Sequence, residues 1–391
     1  MDYDCIIIGG GASGLMLAAS LDLEGRAGLI LEKTARPGAK LLLSGGGRCN
    51  ITHGGSIKEF VSAYGDAGSA LRKCLYRHSN IALASWLEDA GISLADERGE
   101  PVFSYDLDSA GRVFPASMKA SDILDLLLGR ARLNGWKLRT EAGVYDLKRS
   151  GGSWLVKAAP ADTYTARSVV IATGGITYPE TGSDGSMFDV MRDMGIAITP
   201  LRSALAPVYV EDYPYEELSG VTIPDVTITV FTPDTNQKAA RMTGDLLFTH
   251  RGFSGPVILN ISRFAEPGGL ISINYNKDIN DLPRRLQRVL EARAQGPSGD
   301  VRTSVLAALL ERDIFAVTGV DEHGMVTAGG ISLGCIDTRT MQLAGHDGLY
   351  AIGEALDADG ITGGYNLQLC WSTAMTAADS IRSSFPAVQD F

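Results

Sequence analysis

The chain has 391 residues, 45% of them hydrophobic and 21% charged, a composition that excludes a disordered chain. With 35 Lys and Arg against 46 Asp and Glu, its net charge is −11, which argues against a general nucleic-acid binder and its basic face. Five scattered cysteines without a C-x-x-C pair, and five histidines apart from them, point to free thiols in a reducing compartment and to no metal site. Glycine is in excess, 46 residues against about 27 at an average usage of about 7%. With only 15 prolines and no G-X-Y period this is neither collagen nor linker, so the glycines are expected where backbone turns sharply or approaches a ligand.

In chain order, residues 5–21 have the look of a signal-peptide core. However, Asp2 and Asp4 precede them and no basic residue does. No other apolar run approaches the roughly 20 residues of a membrane span. The expectation is a soluble, cytoplasmic protein with no membrane partner. Residues 4–8 (D-C-I-I-I) read as a strand buried on both faces. Gly9-Gly10-Gly11-Ala12-Ser13-Gly14 follows and fits G-x-G-x-x-G. A helix is expected over 15–23, a turn at 25–28, and a second strand ending at Glu32. Gly9 suits a tight turn, Gly11 admits a pyrophosphate, and Gly14 lets helix and strand pack closely. Glu32 would accept from a ribose 2′-OH. Strand, loop, helix and acid together predict dinucleotide binding.

A second glycine triplet lies in Ser44-Gly45-Gly46-Gly47-Arg48-Cys49-Asn50-Ile51-Thr52-His53, more than a simple NAD site needs. Arg48 could meet phosphate, and Asn50 or Thr52 a ring edge. His53 reads as a surface residue. Strands at roughly 136–146, 153–158 and 163–167 form a meander, and Val169–Gly175 follows with Ala172-Thr173-Gly174. This order resembles the glutathione-reductase-like flavoproteins, in which it closes the FAD adenosine site. Gly353-Glu354, after a short strand, resembles the acid element that holds the FAD ribityl chain. Asp359–Asn366 opens a helix to about Ile381, whose positive end suits the N1/O2 edge of an isoalloxazine. FAD is therefore preferred over NAD. No second G-x-G-x-x-G follows a strand, so an NAD(P)H donor must reach the flavin through the substrate cleft.

The chain resembles the single-chain FAD flavoproteins that include aminoacetone oxidase-like enzymes and bile-acid-type enone reductases. The matching stretches are S-G-G-G-R-C-N-I-T-H (44–53), G-R-V-F-P-A-S-M-K-A (111–120), A-T-G-G-I-T-Y-P-E-T-G-S-D-G (172–185), G-D-L-L-F-T-H-R-G-F-S-G-P (244–256), V-T-A-G-G-I (326–331) and G-E-A-L-D-A-D-G-I-T-G-G-Y-N-L-Q (353–368). It departs at Gly195-Ile196, where the family usually has Gly-His, and at Gln342-Leu343-Ala344, where a polar stretch is common. The resemblance implies an α/β fold, a glutathione-reductase-like FAD-binding Rossmann domain over 1–198 and 322–391. It further implies a β-rich inserted domain over 199–276 and a small helical subdomain over 277–321, with helical spacing at 282–294 and 303–315. Non-covalent FAD would be held by Gly9, Gly11, Ala12, Ser13, Gly14, Glu32, Lys33, Lys40, Ser44, Gly46, Gly47, Arg48, Cys49, Asn50, Val144, Ala172, Thr173, Gly174, Gly353, Glu354, Gly364, Tyr365, Asn366 and Leu367.

Three further residues are candidates for the chemistry. His250 could give or take a proton, and Arg251 could clamp a carbonyl or carboxylate, unless their loop simply seats the insert. Tyr178 could donate a proton or stack on flavin, unless it closes the meander. The expected activity is an FAD-dependent oxidoreductase passing hydride at flavin N5, in an NAD(P)H-dependent reduction of a C=C bond in a steroid-like enone. Oxidation of a small amine by oxygen is the alternative. A non-catalytic or tRNA-associated flavoprotein is the remoter one, and no nucleic-acid partner is expected.

Overall fold

A computed structural model of the chain describes residues 2–385. It divides into two compact units, one made of the residues up to Leu201 together with those from Thr327, the other of Arg202–Val326.

The first unit is built on a parallel sheet. Its strands run in the order Leu349–Ala351, Asp162–Ile171, Tyr3–Ile8, Gly28–Leu31 and Trp136–Arg139. The central Tyr3–Ile8 strand is apolar because both faces are covered, and Cys5, Ile6 and Ile7 are fully buried. The helix Ala12–Ser20 packs against the helices Ala120–Leu133 and Tyr365–Ser384. A small antiparallel sheet holds Thr52–His53, Arg112–Pro115, Leu94–Asp96 and Pro101–Val102.

The meander differs from the expectation. Trp136–Arg139 belongs to the parallel sheet, paired with Gly28–Leu31. The meander strands are Val144–Ser150 and Ser153–Ala158, followed by the first half of Asp162–Ile171. That last strand pairs antiparallel with the meander over Asp162–Ala166, and parallel with Tyr3–Ile8 over Ala166–Ile171. The segments expected separately at 163–167 and 169–171 are thus one strand.

The second unit is a closed six-stranded barrel, in the order Val208–Val210, Gly252–Ser254, Lys238–Phe248, Thr222–Phe231, Leu270–Asn274 and Asp313–Val320. Phe248, Phe253, Phe315 and Tyr215 pack in its core. The expected insert at 199–276 is therefore only part of this unit, and no separate helical subdomain spans 277–321. The helices Arg284–Arg293 and Thr303–Glu311 connect two barrel strands, and Leu286 and Leu290 join the barrel core. The second helix stops at Glu311, and Asp313–Phe315, expected as its end, begin the last strand. Asp313 explains the switch: it is fully buried and takes a two-pronged ion pair from Arg293 at 2.8 and 2.9 Å, which fixes it to the barrel.

Among the described residues, no helix is long and apolar enough to cross a membrane. No three His, Cys, Asp or Glu side chains among them converge as metal ligands.

Candidate active site

The first unit gathers most of the expected cofactor residues. The chain leaves the first strand through Gly9, whose φ of +108° and close packing on Ala172 exclude a side chain. The helix Ala12–Ser20 begins at Gly11 with no side-chain cap, so its first-turn N–H groups are free to meet a ligand. A Cβ on Gly14 would stand 2.0 Å from the Gly9 carbonyl oxygen. A Cβ on Gly11 would meet nothing within 4 Å. The loop is therefore tight on its protein side and open over Gly11, the shape a pyrophosphate needs. Gly46 in the second triplet is open in the same way.

Glu32, buried at the end of the second strand, accepts from Gly10 N at 2.8 Å and from Thr34 N at 2.7 Å. It shapes the loop, and its two oxygens keep further acceptor capacity for a ribose. Lys33 pairs with Asp184 and donates to Ser186, so its charge ties the second strand to the 184–186 turn. Gly143, just before Val144, packs on the Lys33 stem.

The 44–53 segment is held to the start of the C-terminal helix. The Asn50 amide donates to the Thr52 and Val113 carbonyls and accepts from Gly364 N at 3.0 Å. Thr52 Oγ1 donates to Gln368 Oε1 at 2.6 Å, and Trp371 Nε1 donates to the Ile51 carbonyl at 2.9 Å. Asn50 and Thr52, expected to meet a ring edge, are thus engaged within the protein. Arg48 donates to the Gly45 carbonyl and lies over the Phe114 ring, 4.8 Å from its centre, while Ser44 donates to Leu41. Cys49 is buried, and burial pushes its thiol up to about 12, which leaves it inert. His53 is half-buried and stacked on Tyr365, 5.2 Å between ring centres, rather than lying on the surface. Asn366 closes the preceding loop by bonding Gly360 in both directions. Tyr365, Asn366 and Leu367 then form the helix's first turn.

Glu354 does not stand alone. Lys40 Nζ donates to both of its oxygens, at 2.7 and 2.9 Å, and to Thr177 Oγ1 at 2.8 Å. Thr177 Oγ1 and Thr327 N also donate to Glu354. The pair is partly exposed, 25% for the Lys40 side chain and 18% for Glu354. Ser13 packs on Gly353, and Gly174 lies beside Glu354. Thr177 and Thr327 lie in the 172–185 and 326–331 stretches but were not among the expected site residues. Lys40 Nζ stands 5.6 Å from the centre of the Tyr178 ring. His250 and Arg251 occupy an exposed turn of the barrel unit, shaped by Thr249, which bonds Gly252.

An open glycine at an uncapped helix start, a second open glycine turn, an acid after the second strand and an acid beside the A-T-G-G strand fit FAD. They would hold its pyrophosphate, adenosine ribose and ribityl chain. The fold and site define a Rossmann-type FAD-binding flavoenzyme.

A model of the family described as "HI0933-like protein Rossmann domain" matches residues 3–380, and the chain belongs to that family. It is 28% identical over 413 aligned positions to the ribosomal RNA dihydrouridine synthase of Escherichia coli (strain K12), covering 97% of this chain and 98% of that protein. It is 27% identical over 414 positions to the 3-dehydro-bile acid delta(4,6)-reductase of Clostridium scindens, covering 95% and 97%. Among solved structures, the 3-ketosteroid delta1-dehydrogenase of Sterolibacterium denitrificans matches with a TM-score of 0.53 at 14% identity, over 98% of this chain and 100% of that one. The structural match speaks for the fold. The protein is an FAD-dependent oxidoreductase with non-covalently bound FAD.

Proposed function

We propose that this flavoenzyme reduces a C=C bond conjugated to a carbonyl. One observation carries the reading: two full-length relatives with unlike substrates have names that describe the same bond change. Making dihydrouridine saturates the uracil C5=C6 bond, which is conjugated to the C4 carbonyl. A delta(4,6)-reduction of a 3-dehydro bile acid saturates a C=C bond conjugated to the 3-ketone. The steroid-like enone expected from sequence is one such substrate, and a uracil base in RNA is another.

A net charge of −11 does not exclude a nucleic-acid partner, and ribosomal RNA stands in the name of one relative. Net charge describes the whole chain, whereas Arg284, Arg285 and Arg288 stand exposed on a single helix. The relatives reported above bear no amine-oxidase name, so amine oxidation gains no support from them.

FAD, when bound, would supply hydride chemistry, with a reduced nicotinamide as the source of its electrons. The chain's part is to hold that cofactor through the Gly11 cradle and the Lys40–Glu354 pair.

The test is anaerobic. NADPH is added until the yellow flavin band bleaches, and then either 4-androstene-3,17-dione or a uridine oligonucleotide is supplied. Return of the band, with two hydrogens gained by the substrate, supports the reading. A flavin that NADPH does not bleach, or that neither acceptor reoxidises, refutes it.

A further inference from the structure

We propose that Tyr178 is the proton donor of this reduction, a role that rests on the reading above. Tyr178 stands at φ +59°, ψ +57°, the left-handed region that a bulky aromatic residue avoids. Such a conformation persists only where the surroundings impose it, and such residues cluster at functional sites. Here the surroundings do impose it. Before the tyrosine, Ile176 N is held by Thr327 Oγ1 at 2.7 Å, and Thr177 is buried and bonded to Lys40 and Glu354. After it, Pro179 fixes the next φ, and Thr181 donates to the Tyr178 carbonyl through both N and Oγ1.

A tyrosine needed only to cover apolar surface would not require this frame, because its backbone could relax. The frame aims a half-buried ring whose hydroxyl has no hydrogen-bond partner among the described residues. The ring lies beside the Lys40–Glu354 pair, in the part of the site that also contains Gly174 and Gly353. Lys40 Nζ lies 5.6 Å from the centre of that ring while it holds both Glu354 oxygens.

The step balances simply. A hydride brings two electrons to the carbon β to the carbonyl, and the former π pair takes up the Tyr178 phenolic proton at the α carbon. Water returns that proton to the phenolate. The two electrons come from the reduced nicotinamide.

The test compares Tyr178→Phe, which keeps ring and strain, with Tyr178→Gly, which removes both. The probe is 4-androstene-3,17-dione added to NADPH-reduced enzyme. Y178F is expected to melt, bind FAD and be bleached by NADPH as the wild type does. Its reoxidation by the enone should fall at least about a hundredfold in kcat with KM unchanged. Y178G should be equally slow yet melt at the same or a higher temperature, since its backbone strain is relieved. Wild-type reoxidation rates in Y178F overturn the role. So does loss of FAD or of thermal stability in Y178F, which would make the ring a structural prop. A wild type that the enone does not reoxidise, while a uridine oligonucleotide does, moves the same comparison to the oligonucleotide. If neither acceptor works, the reduction and this role fall together.

Discussion

Gly11 at the helix start and Gly14 in its first turn can be told apart by one methyl group each. Gly14→Ala would place Cβ 2.0 Å from the Gly9 carbonyl oxygen and 3.1 Å from Ile7 Cγ2, so strand and helix must part. Overpacking of this kind costs about 1–3 kcal/mol, which for a unit of this size lowers the melting temperature by roughly 2–5 °C. Gly11→Ala adds the same methyl where nothing lies within 4 Å, at φ −84° and ψ −168°, extended backbone that any residue adopts. The apoprotein should therefore melt unchanged, or slightly higher by the roughly 0.4–1 kcal/mol that follows from a stiffer unfolded chain. Only the bound pyrophosphate should feel that methyl, and a loss of about a hundredfold in FAD affinity, roughly 2.7 kcal/mol, is expected. Both quantities are measurable on deflavinated protein, by calorimetric melting and by titration of FAD fluorescence. If the Gly11→Ala apoprotein melts as low as Gly14→Ala, or if it binds FAD like the wild type, the open space over Gly11 is not the phosphate cradle.

Arg293→Met leaves the fully buried Asp313 without its charge partner and should destabilise the barrel unit by about 3–5 kcal/mol. Limited proteolysis should then cut within residues 202–326, and unchanged resistance would refute the assignment. Burial lowers the affinity of His78 for a proton despite Asp379 at 3.1 Å. The unfolded chain therefore takes up that proton first, near its ordinary value of about 6.5, so this residue's contribution to stability is lost as pH falls below about 6.5. His78→Gln should flatten the fall in melting temperature between about pH 7 and 5, and an unaltered slope would count against it. Of the five cysteines only Cys335 is not buried, so a disulfide reagent should titrate one thiol in the native protein and none in Cys335→Ser. A second fast-reacting thiol would contradict the burial of Cys49.

The first strand, glycine loop, helix and Glu32 were legible in sequence because each lies within some thirty residues of the next and obeys one local geometry. The C-terminal helix was equally plain, since Gly363 and Gly364 mark its start. What escaped depends on distant partners. Lys40 and Glu354 are 314 positions apart, and no spacing announces that each holds the other. His53 read as a surface residue because the ring that covers it, Tyr365, comes from the far end of the chain. The strand Asp162–Ile171 read as two because Arg167 and Ser168 interrupt its apolar pattern, yet Ser168 is buried between its neighbours in the sheet. The helix at 303 read too long because Ile314 and Phe315 continue its apolar spacing beyond the charged residues 311–313, whereas Asp313 is bound to Arg293, Tyr215 and Tyr275 in the barrel.

The attachment of residues 50–52 to Gly364, Gln368 and Trp371 bears on how the protein is made. The glycine loop leaves the ribosome long before Trp371, and the second glycine segment cannot be held in place until Trp371 has also emerged. With synthesis at roughly 5–20 residues per second, the nascent chain carries half a cofactor site for many seconds. Ribosome-bound chains stalled before residue 364 should retain no FAD, whereas chains long enough to free Trp371 should capture it. The cofactor site of the first unit is thus completed only after its C-terminal helix has been made.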